Sequence, residues 1–143
     1  MTTQGIPVGG LNTIGQIVAT NTLRFHPWRN GEAVAVSLLS THMAGAPVVD
    51  DEGRYLGFIN EFDVMRALDA GRDLTRLTAV DIMRTDQLTV SPQTSITEAS
   101  MKMEEHHVFN LPVEHDGIVV SSVSRHDLLR ARIGLGLGMG VDP

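Results

Sequence analysis

The sequence contains no cysteine among its 143 residues. This absence excludes disulfide bonds, thiolate metal sites and cysteine nucleophiles. The sequence also has no apolar run near the length of about 18 residues that a transmembrane helix needs. Residues 1–12 lack both the basic region and the apolar core of a secretory signal. We therefore expect a cytoplasmic protein that does not enter a membrane.

Positive charge is scarce, because 11 Lys and Arg residues face 17 Asp and Glu residues, for a formal net charge of −6. A negatively charged surface repels nucleic-acid phosphates and anionic lipid headgroups. Aromatic residues make up only 4% of the chain, and no basic stripe interleaved with aromatics offsets the repulsion. We therefore expect neither nucleic acid nor a membrane surface as a partner. The hydrophobic fraction of 42% is close to the average of globular domains and supports a packed core.

What the sequence does contain is an internal repeat at an offset of 65 residues. Four pairs of identical residues keep this offset: Thr13 and Thr78, Pro27 and Pro92, His42 and His107, and Pro47 and Pro112. After the last pair the offset becomes 64, because the turn Asp51-Glu52-Gly53 is shortened to Asp116-Gly117 in the second copy. A length change confined to a turn is typical of a true structural repeat.

Each copy has the pattern of a β-α-β-β-α unit. The predicted elements are an extended segment at 22–25 or 88–90, a helix at 32–42 or 96–107, and two strands at 47–49 with 55–59 or 112–113 with 118–123. A second helix follows near Phe62 or His126, and Gly71 suits the position just after the first of these helices. Six apolar side chains of the second helices are expected to face inward: Val64, Met65, Leu68, Leu128, Leu129 and Ile133.

A unit of this size buries too little surface to be stable alone. We therefore predict one α+β fold in which two β-α-β-β-α repeats pack sheet to sheet with pseudo-twofold symmetry. The expected divisions are an N-terminal arm at 1–12, the first repeat at 13–74, the second repeat at 75–133 and a Gly-rich flexible tail at 134–143.

Two short motifs carry the candidate chemistry: Asn60-x-x-Asp63 and Ser124-x-x-Asp127, each after a strand and opening a helix. Each fits a capping box, in which the first side chain and the acid three residues later satisfy free backbone N–H groups. Each also fits a ligand site. A helix N-terminus attracts phosphate, and a carboxylate one turn in can accept hydrogen bonds from two ribose hydroxyls. The sequence leaves both interpretations open.

Both copies have the order proline, helix, proline-containing strand, turn and helix-opening motif. The strands contain Ala46-Pro47-Val48-Val49-Asp50 and Leu111-Pro112-Val113, and the helix-opening motifs are Asn60-x-x-Asp63 and Ser124-x-x-Asp127. This duplicated order resembles the tandem CBS domain pair, also called the Bateman module. The resemblance covers about residues 13–133. It implies two clefts related by pseudo-twofold symmetry, which bind AMP, ADP, ATP or a related adenosyl compound. It also implies a homodimer that takes part in signal transduction by regulating an as yet unknown protein.

The resemblance places Asp127 as the ribose-binding aspartate and Ser124 beside the phosphate. It implies the following two sets of ligand-binding residues. The first cleft comprises Asp127, Ser124, Thr13, Val18, Met43 and Ala44. The second cleft comprises Asp63, Asn60, Thr78, Met83, Val108 and Phe109.

The chain departs from the family pattern at a few positions. Asn60 replaces the usual Thr or Ser. Gly45 and Asn110 stand where many relatives place basic side chains that bind phosphates. The absence of these cations counts against binding of a triphosphate more than against recognition of adenosine. Arg24 and Arg125 are candidates to compensate.

Other functions find little support in the sequence. A metal site at Glu104-Glu105-His106-His107 is disfavoured, because adjacent histidines on a helix point about 100° apart; since His107 aligns with His42, a role at the helix end is favoured. No Gly-x-Ser-x-Gly elbow supports hydrolysis. We therefore expect no catalytic residue, no metal and no catalytic cofactor. The leading hypothesis is a ligand-sensing regulatory module that acts in trans, and the alternative is a structural dimerisation module whose clefts stay empty.

Overall fold

The structure is a computed structural model and describes residues 12–18 and 21–134. Apart from Asn12 and Gly134, the N-terminal arm and the Gly-rich tail expected from the sequence lie outside the described residues. None of the helices within these residues is both long and apolar enough to cross a membrane.

The two repeats contain the same elements in the same order, which confirms the α+β fold expected from the sequence. The first repeat has helix α1 (Gly31–Thr41), strands β1 (Gly45–Val49) and β2 (Tyr55–Asn60), and helix α2 (Glu61–Asp69). After a short helix α3 (Ala79–Ile82), the second repeat has helix α4 (Ile96–His106), strands β3 (Asn110–His115) and β4 (Ile118–Ser124), and helix α5 (Arg125–Arg132). Single 3-10 turns lie at Ile14–Gln16 and Leu74–Arg76.

Each repeat forms a small sheet around one antiparallel pair, β1 with β2 and β3 with β4. The extended segment expected before each pair is reduced to a single bridge residue. Phe25 pairs in parallel with Val48, and Val90 pairs in parallel with Val113. Both bridges have the same hydrogen bonds: the Phe25 amide donates to the carbonyl of Pro47, and the Val90 amide donates to that of Pro112. The repeat seen in the sequence is therefore a repeat of backbone pairing.

The hairpin turns join the two sheets to each other. The Tyr55 amide donates to the Gly117 carbonyl at 3.1 Å, and the Val119 amide donates to the Gly53 carbonyl at 2.9 Å. This reciprocal pattern, in which each turn contacts the opposite repeat, is what pseudo-twofold packing of two sheets requires. At the other end of the sheets, the Asn110 side chain donates to the Gly45 carbonyl at 2.8 Å.

The repeats exchange short segments, so that each hydrophobic core contains residues from the other copy. Ile14 and Ile17, which precede α1 in the first repeat, are buried in the core of the second repeat. Ala79 and Ile82, which precede α4 in the second repeat, are buried in the core of the first. Backbone hydrogen bonds hold the exchanged segments in place, from Ile14 N to Thr94 O at 2.9 Å and from Ala79 N to Arg29 O at 2.8 Å.

Six apolar side chains at α2 and α5 were expected to face inward, and this prediction is wrong for four of them. Val64 and Leu128 are buried, whereas more than half of the surface is exposed in each of Met65, Leu68, Leu129 and Ile133. Ala67 and Ala131 are the buried residues one turn after Val64 and Leu128. Small side chains let each helix lie close to its sheet, and the larger apolar residues project from the opposite face. Because both faces of these helices carry apolar residues, periodicity alone does not identify the buried one.

Gly57 in β2 is required by a close approach of the chain. A Cβ atom at this position would lie 2.6 Å from the Met83 sulfur and 2.7 Å from the carbonyl oxygen of Arg84. The equivalent position in β4 is Ser121, since Gly57 pairs with Val48 and Ser121 pairs with Val113. The two repeats therefore differ in how closely the preceding segment packs on the second strand.

We expect Gly57→Ser to lower the free energy of unfolding by about 1–3 kcal/mol, because a backbone oxygen has to move to accommodate the side chain. Urea denaturation followed by circular dichroism measures the change. The matched control is Ser121→Gly, for which the flexibility of glycine in a strand predicts a loss of only about 0.5–1 kcal/mol. Equal losses in the two variants would contradict the close approach at Gly57.

Candidate functional site

The helix-opening motifs form capping boxes, as the local interpretation of the sequence predicts. At α2, the Asn60 side chain accepts a hydrogen bond from the Asp63 amide, and the Asp63 carboxylate accepts one from the Asn60 amide, both at 2.8 Å. At α5, Ser124 Oγ accepts from the Asp127 amide at 3.1 Å, and Asp127 accepts from the Ser124 amide at 2.8 Å. The boxes hold both carboxylates at the positive end of a helix.

The first cleft is a cavity of about 340 Å³ between the end of α1 and the start of α5. It brings together four of the six residues that the sequence assigns to it: Met43 and Ala44 from the first repeat, and Ser124 and Asp127 from the second. The other two lie outside this cavity. Thr13 pairs with Ser95 at the start of α4, and Val18 is exposed next to the exchanged segment. A ligand contact by Thr13 or Val18 stays a prediction.

Cationic and aromatic groups surround the mouth of the first cleft. The Arg125 guanidinium lies 4.5 Å above the centre of the Phe109 ring, a cation–π contact that holds it at the cleft wall. Arg130 Nη2 donates to Asp127 Oδ1 at 2.8 Å. His42 and His126 also line the cavity. Within the described residues, two arginines and two histidines therefore line this cleft together with one carboxylate.

Arg24, the other candidate to compensate for the missing basic side chains, points elsewhere. Its Nη1 donates to the Val119 carbonyl at 3.1 Å on strand β4. Of the two arginines, only Arg125 lines the first cleft.

Asn21 adds a buried donor to the first cleft that sequence reasoning missed. Its side-chain oxygen accepts a hydrogen bond from the Leu23 amide at 3.0 Å, which fixes the orientation of the carboxamide. Its side-chain nitrogen is buried and has no hydrogen-bond partner within residues 12–18 and 21–134. Leaving a buried donor unpaired is costly, so such a group favours a ligand that can accept its hydrogen bond.

The second cleft is a much smaller cavity of about 80 Å³ at the pseudo-symmetric position. Asn60, Val108 and Phe109 line it, as the resemblance implies. Phe58, Phe62 and Gln87 line it as well. The other three residues assigned to this cleft, Asp63, Thr78 and Met83, do not line it.

Those three residues lie near the start of α2 and around α3. Asp63 borders a separate cavity of about 220 Å³ with Arg66, Arg72 and Asp81. Met83 packs against Gly57. The backbone amide and the hydroxyl of Thr78 donate to Asp81 at 2.8 and 3.1 Å, and these hydrogen bonds hold the pKa of Asp81 below its usual value. Ligand contacts by Asp63, Thr78 and Met83 stay predictions.

The candidate metal residues at the end of α4 have a structural role. His107 caps α4 in the left-handed conformation with φ 55°, and His42 caps α1 in the same way with φ 58°. The role at the helix end inferred from their alignment is thus confirmed. In the described part of the chain, no group of three or more His, Cys, Asp or Glu side chains could hold a metal ion.

Comparison with known proteins gives one consistent family. Residues 32–70 and 79–134 match the CBS domain. The arabinose 5-phosphate isomerase KdsD of Pseudomonas aeruginosa is 31% identical over 116 residues, which cover 72% of this chain and 36% of the isomerase. The chain spans 25% to 36% of the length of the first curated relatives that it matches.

Solved structures have the same fold. The CBS domain of a CBS domain containing membrane protein from Sphaerobacter thermophilus is 26% identical to this chain and superposes with a TM-score of 0.68. The alignment covers 87% of this chain and 90% of the Sphaerobacter chain. The CBS domain pair of protein MJ0100, solved in complex with 5-methylthioadenosine and S-adenosyl-L-methionine, is 23% identical with a TM-score of 0.73. The alignment covers 82% of this chain and 93% of the MJ0100 chain.

Proposed function

The chain belongs to the CBS domain family, and from that premise we propose that it is a regulatory module that binds an adenine nucleotide in the first cleft. The nucleotide is AMP, ADP or ATP, and the module acts in trans on a partner protein without catalysing a reaction. The observation that carries the proposal is the composition of the first cleft. It joins a capped carboxylate, Asp127, to the cation Arg125 and to the buried Asn21 side-chain nitrogen, which has no hydrogen-bond partner among the described residues.

The first cleft has the size and polarity of a small-molecule site. Its volume of about 340 Å³ lies within the range of about 300–1,000 Å³ that is typical of such sites. The Asn21 carboxamide can donate to a ring nitrogen of a purine, and Met43 supplies an apolar wall for the base. Asp127 can accept hydrogen bonds from vicinal ribose hydroxyls. The similar CBS pair of MJ0100 provides the precedent for an adenosyl ligand, although at 23% identity that likeness establishes the fold alone.

The charges around the first cleft favour a nucleotide that carries phosphate. Among the described residues, the guanidinium groups of Arg125 and Arg130 line the cavity with one carboxylate, that of Asp127. The net positive charge of these three groups stabilises phosphate oxygens and repels the sulfonium of S-adenosylmethionine. Arg125 therefore compensates for the missing basic side chains at Gly45 and Asn110.

The cleft also provides a mechanism of regulation. Met43 and Ala44 come from the first repeat, whereas Ser124 and Asp127 come from the second. A nucleotide that contacts both walls stabilises one relative orientation of the repeats, by no more than its difference in affinity for the alternative orientations. A partner protein that binds one orientation more tightly would then respond to the nucleotide concentration.

We expect AMP, ADP or ATP to raise the melting temperature by several degrees. A ligand at 100 times its Kd that binds only the native state adds about 2.7 kcal/mol to the free energy of unfolding. Differential scanning fluorimetry with a panel of AMP, ADP, ATP, adenosine, S-adenosylmethionine, NAD and GTP measures the effect. Adenosine and S-adenosylmethionine should give smaller shifts because they lack phosphate, and GTP should also give less than the adenine nucleotides. A melting temperature unmoved by the whole panel would instead favour a ligand-free structural module.

Replacing Asp127 by Asn should weaken nucleotide binding by about 10- to 100-fold, because charge-assisted hydrogen bonds of about 1.5–3 kcal/mol are lost. Isothermal titration calorimetry with the best nucleotide of the panel measures the affinity. Asp63→Asn is the matched control, since it removes the same charge from the other capping box. Both variants should lose stability, but only Asp127→Asn should lose affinity. Unchanged affinity in Asp127→Asn would remove this carboxylate from the ligand site.

Exposed apolar helix faces favour a second role, that of a dimerisation module. Helices α1 and α2 expose five large apolar side chains, and a groove of about 740 Å³ lies between α4 and α5. The five are Val36, Leu39, Phe62, Met65 and Leu68. Glu61 begins α2 where the second repeat has Arg125 at the start of α5. These opposite charges favour a homodimer in which α1 and α2 of one chain pack head to tail on α4 and α5 of the other.

Light scattering of the ligand-free protein should give about twice the mass of one chain, 15.5 kDa. In the head-to-tail arrangement, Glu61→Arg should weaken the dimer by like-charge repulsion against Arg125 of the partner. The double variant Glu61→Arg with Arg125→Glu should restore it. A monomer at micromolar concentration would contradict the dimer. A failure of the double variant to restore the dimer would contradict the head-to-tail arrangement.

A further inference from the structure

Two side chains are shared by the first cleft and the groove between α4 and α5. Among the described residues, Phe109 and Arg125 are the ones that line both cavities. Phe109 directly precedes β3, and Arg125 is the first residue of α5. A ligand in the first cleft and a protein in the groove would therefore meet at the same two side chains.

The backbone places these two side chains next to each other. Asn110 and Ser124 form the pair at one end of the β3–β4 ladder. The Arg125 amide continues the pairing by donating to the Phe109 carbonyl at 2.9 Å. The central carbon of the Arg125 guanidinium lies 4.5 Å from the centre of the Phe109 ring. This contact holds the cation where the cleft and the groove both reach it.

The Arg125 guanidinium is available to a ligand, unlike that of Arg130 in the same helix. Arg130 donates to the Asp127 carboxylate at 2.8 Å. In the part of the chain that the structure describes, the Arg125 guanidinium contacts the Phe109 ring and has no ion pair. A cation–π contact at an exposed ring is weaker than a charge-assisted hydrogen bond to a phosphate or a carboxylate. Arg125 can therefore exchange its contact with the ring for either acceptor.

The acceptors on the two sides carry charge of the same sign. In the first cleft the acceptor is the phosphate of the nucleotide, which has a charge of about −2 at neutral pH. In the groove it is Glu61 of a second copy, in the head-to-tail arrangement. A bound phosphate outweighs the single positive charge of Arg125 and therefore repels the Glu61 carboxylate. Nucleotide binding thus removes the charge attraction that favours the dimer.

We propose that Arg125 couples the two sites, so that a phosphate-bearing nucleotide in the first cleft weakens the docking of a second copy in the groove. The inference rests on the proposed function, because it concerns what the nucleotide site regulates. Coupling of this kind is reciprocal, so the dimer binds the nucleotide more weakly than the monomer does, by the same factor. The nucleotide concentration then sets the fraction of chains that present a free groove.

Sedimentation velocity of a dilution series of the full chain measures the dimer dissociation constant without ligand, with AMP and with adenosine. Saturating AMP should raise this constant by about fivefold or more, since coupling between sites is usually at least this large. Adenosine, at a concentration that fills the cleft by titration calorimetry, should change the constant by less than about twofold, because it carries no phosphate charge.

Arg125→Gln tests which side chain carries the coupling. The substitution removes the charge at an exposed position, so saturating AMP should leave the dimer dissociation constant of this variant unchanged. The matched control is Arg132→Gln in the same helix. Arg132 lines the groove but not the first cleft, and its Nη1 donates to the Thr97 hydroxyl at 2.8 Å. AMP should still raise the dimer dissociation constant of this control by the factor seen in the wild type.

A reciprocal measurement tests the coupling without any variant. Titration calorimetry of the wild type with AMP is carried out at protein concentrations well below and well above the dimer dissociation constant. The affinity for AMP should be lower at the higher concentration, by the same factor that sedimentation gives.

The possible outcomes separate this inference from the proposed function. An unchanged dimer dissociation constant with AMP bound, an equal effect of adenosine, or an undiminished effect of AMP in Arg125→Gln would overturn the coupling and leave the proposed function intact. A wild type that binds AMP but stays monomeric would do the same. Absence of binding at millimolar AMP would overturn the proposed function and the coupling with it.

Discussion

The exchange of short segments between the repeats is the packing constraint on which the rest of the structure depends. Ile14 and Ile17 complete the core of the second repeat, and Ala79 and Ile82 complete the core of the first. Without these residues each core would lose buried apolar area, at a cost of about 25 cal/mol per Å². Each repeat is therefore stable only in the presence of the other, which fixes the sheet-to-sheet contact and the pseudo-twofold arrangement of the helices.

The exchange also explains why two copies of one unit produce unequal clefts. Each exchanged segment runs past the second strand of the opposite repeat before the chain enters its own repeat. It therefore contributes a side chain near the capped carboxylate of the opposite repeat. In one segment, Arg84 Nε and Nη2 donate to Asp63 Oδ1 at 3.2 and 3.0 Å, and in the other segment Asn21 lines the cleft of Asp127. The capping boxes are nearly identical in the two repeats. The exchanged segments therefore account for part of the chemical difference between the clefts, and residues at the starts of α2 and α5 account for another part.

The sequence predicted those features that depend on local geometry. The capping boxes at Asn60 and Ser124 follow from residues three positions apart, and the helix-end role of His107 follows from its alignment with His42. The contacts of Asn21 and Arg84 could not be predicted, because both residues lie in segments without periodicity and their partners are far away in the sequence. The buried faces of α2 and α5 were misassigned for a related reason. Where a helix is apolar on two sides, only the packing of its neighbours decides which side is covered.

The hydrogen bond between the Ile14 amide and the Thr94 carbonyl has a consequence for folding. On the ribosome, the segment around Ile14 emerges early, but its binding site in the core of the second repeat is completed only when most of the chain has been synthesised. Such non-local contacts raise the contact order and slow the rate-limiting step of folding. During that interval the apolar surface of the unfinished first repeat stays accessible to chaperones and to other nascent chains. Translation speed across the connection between the repeats would thus affect the yield of folded protein.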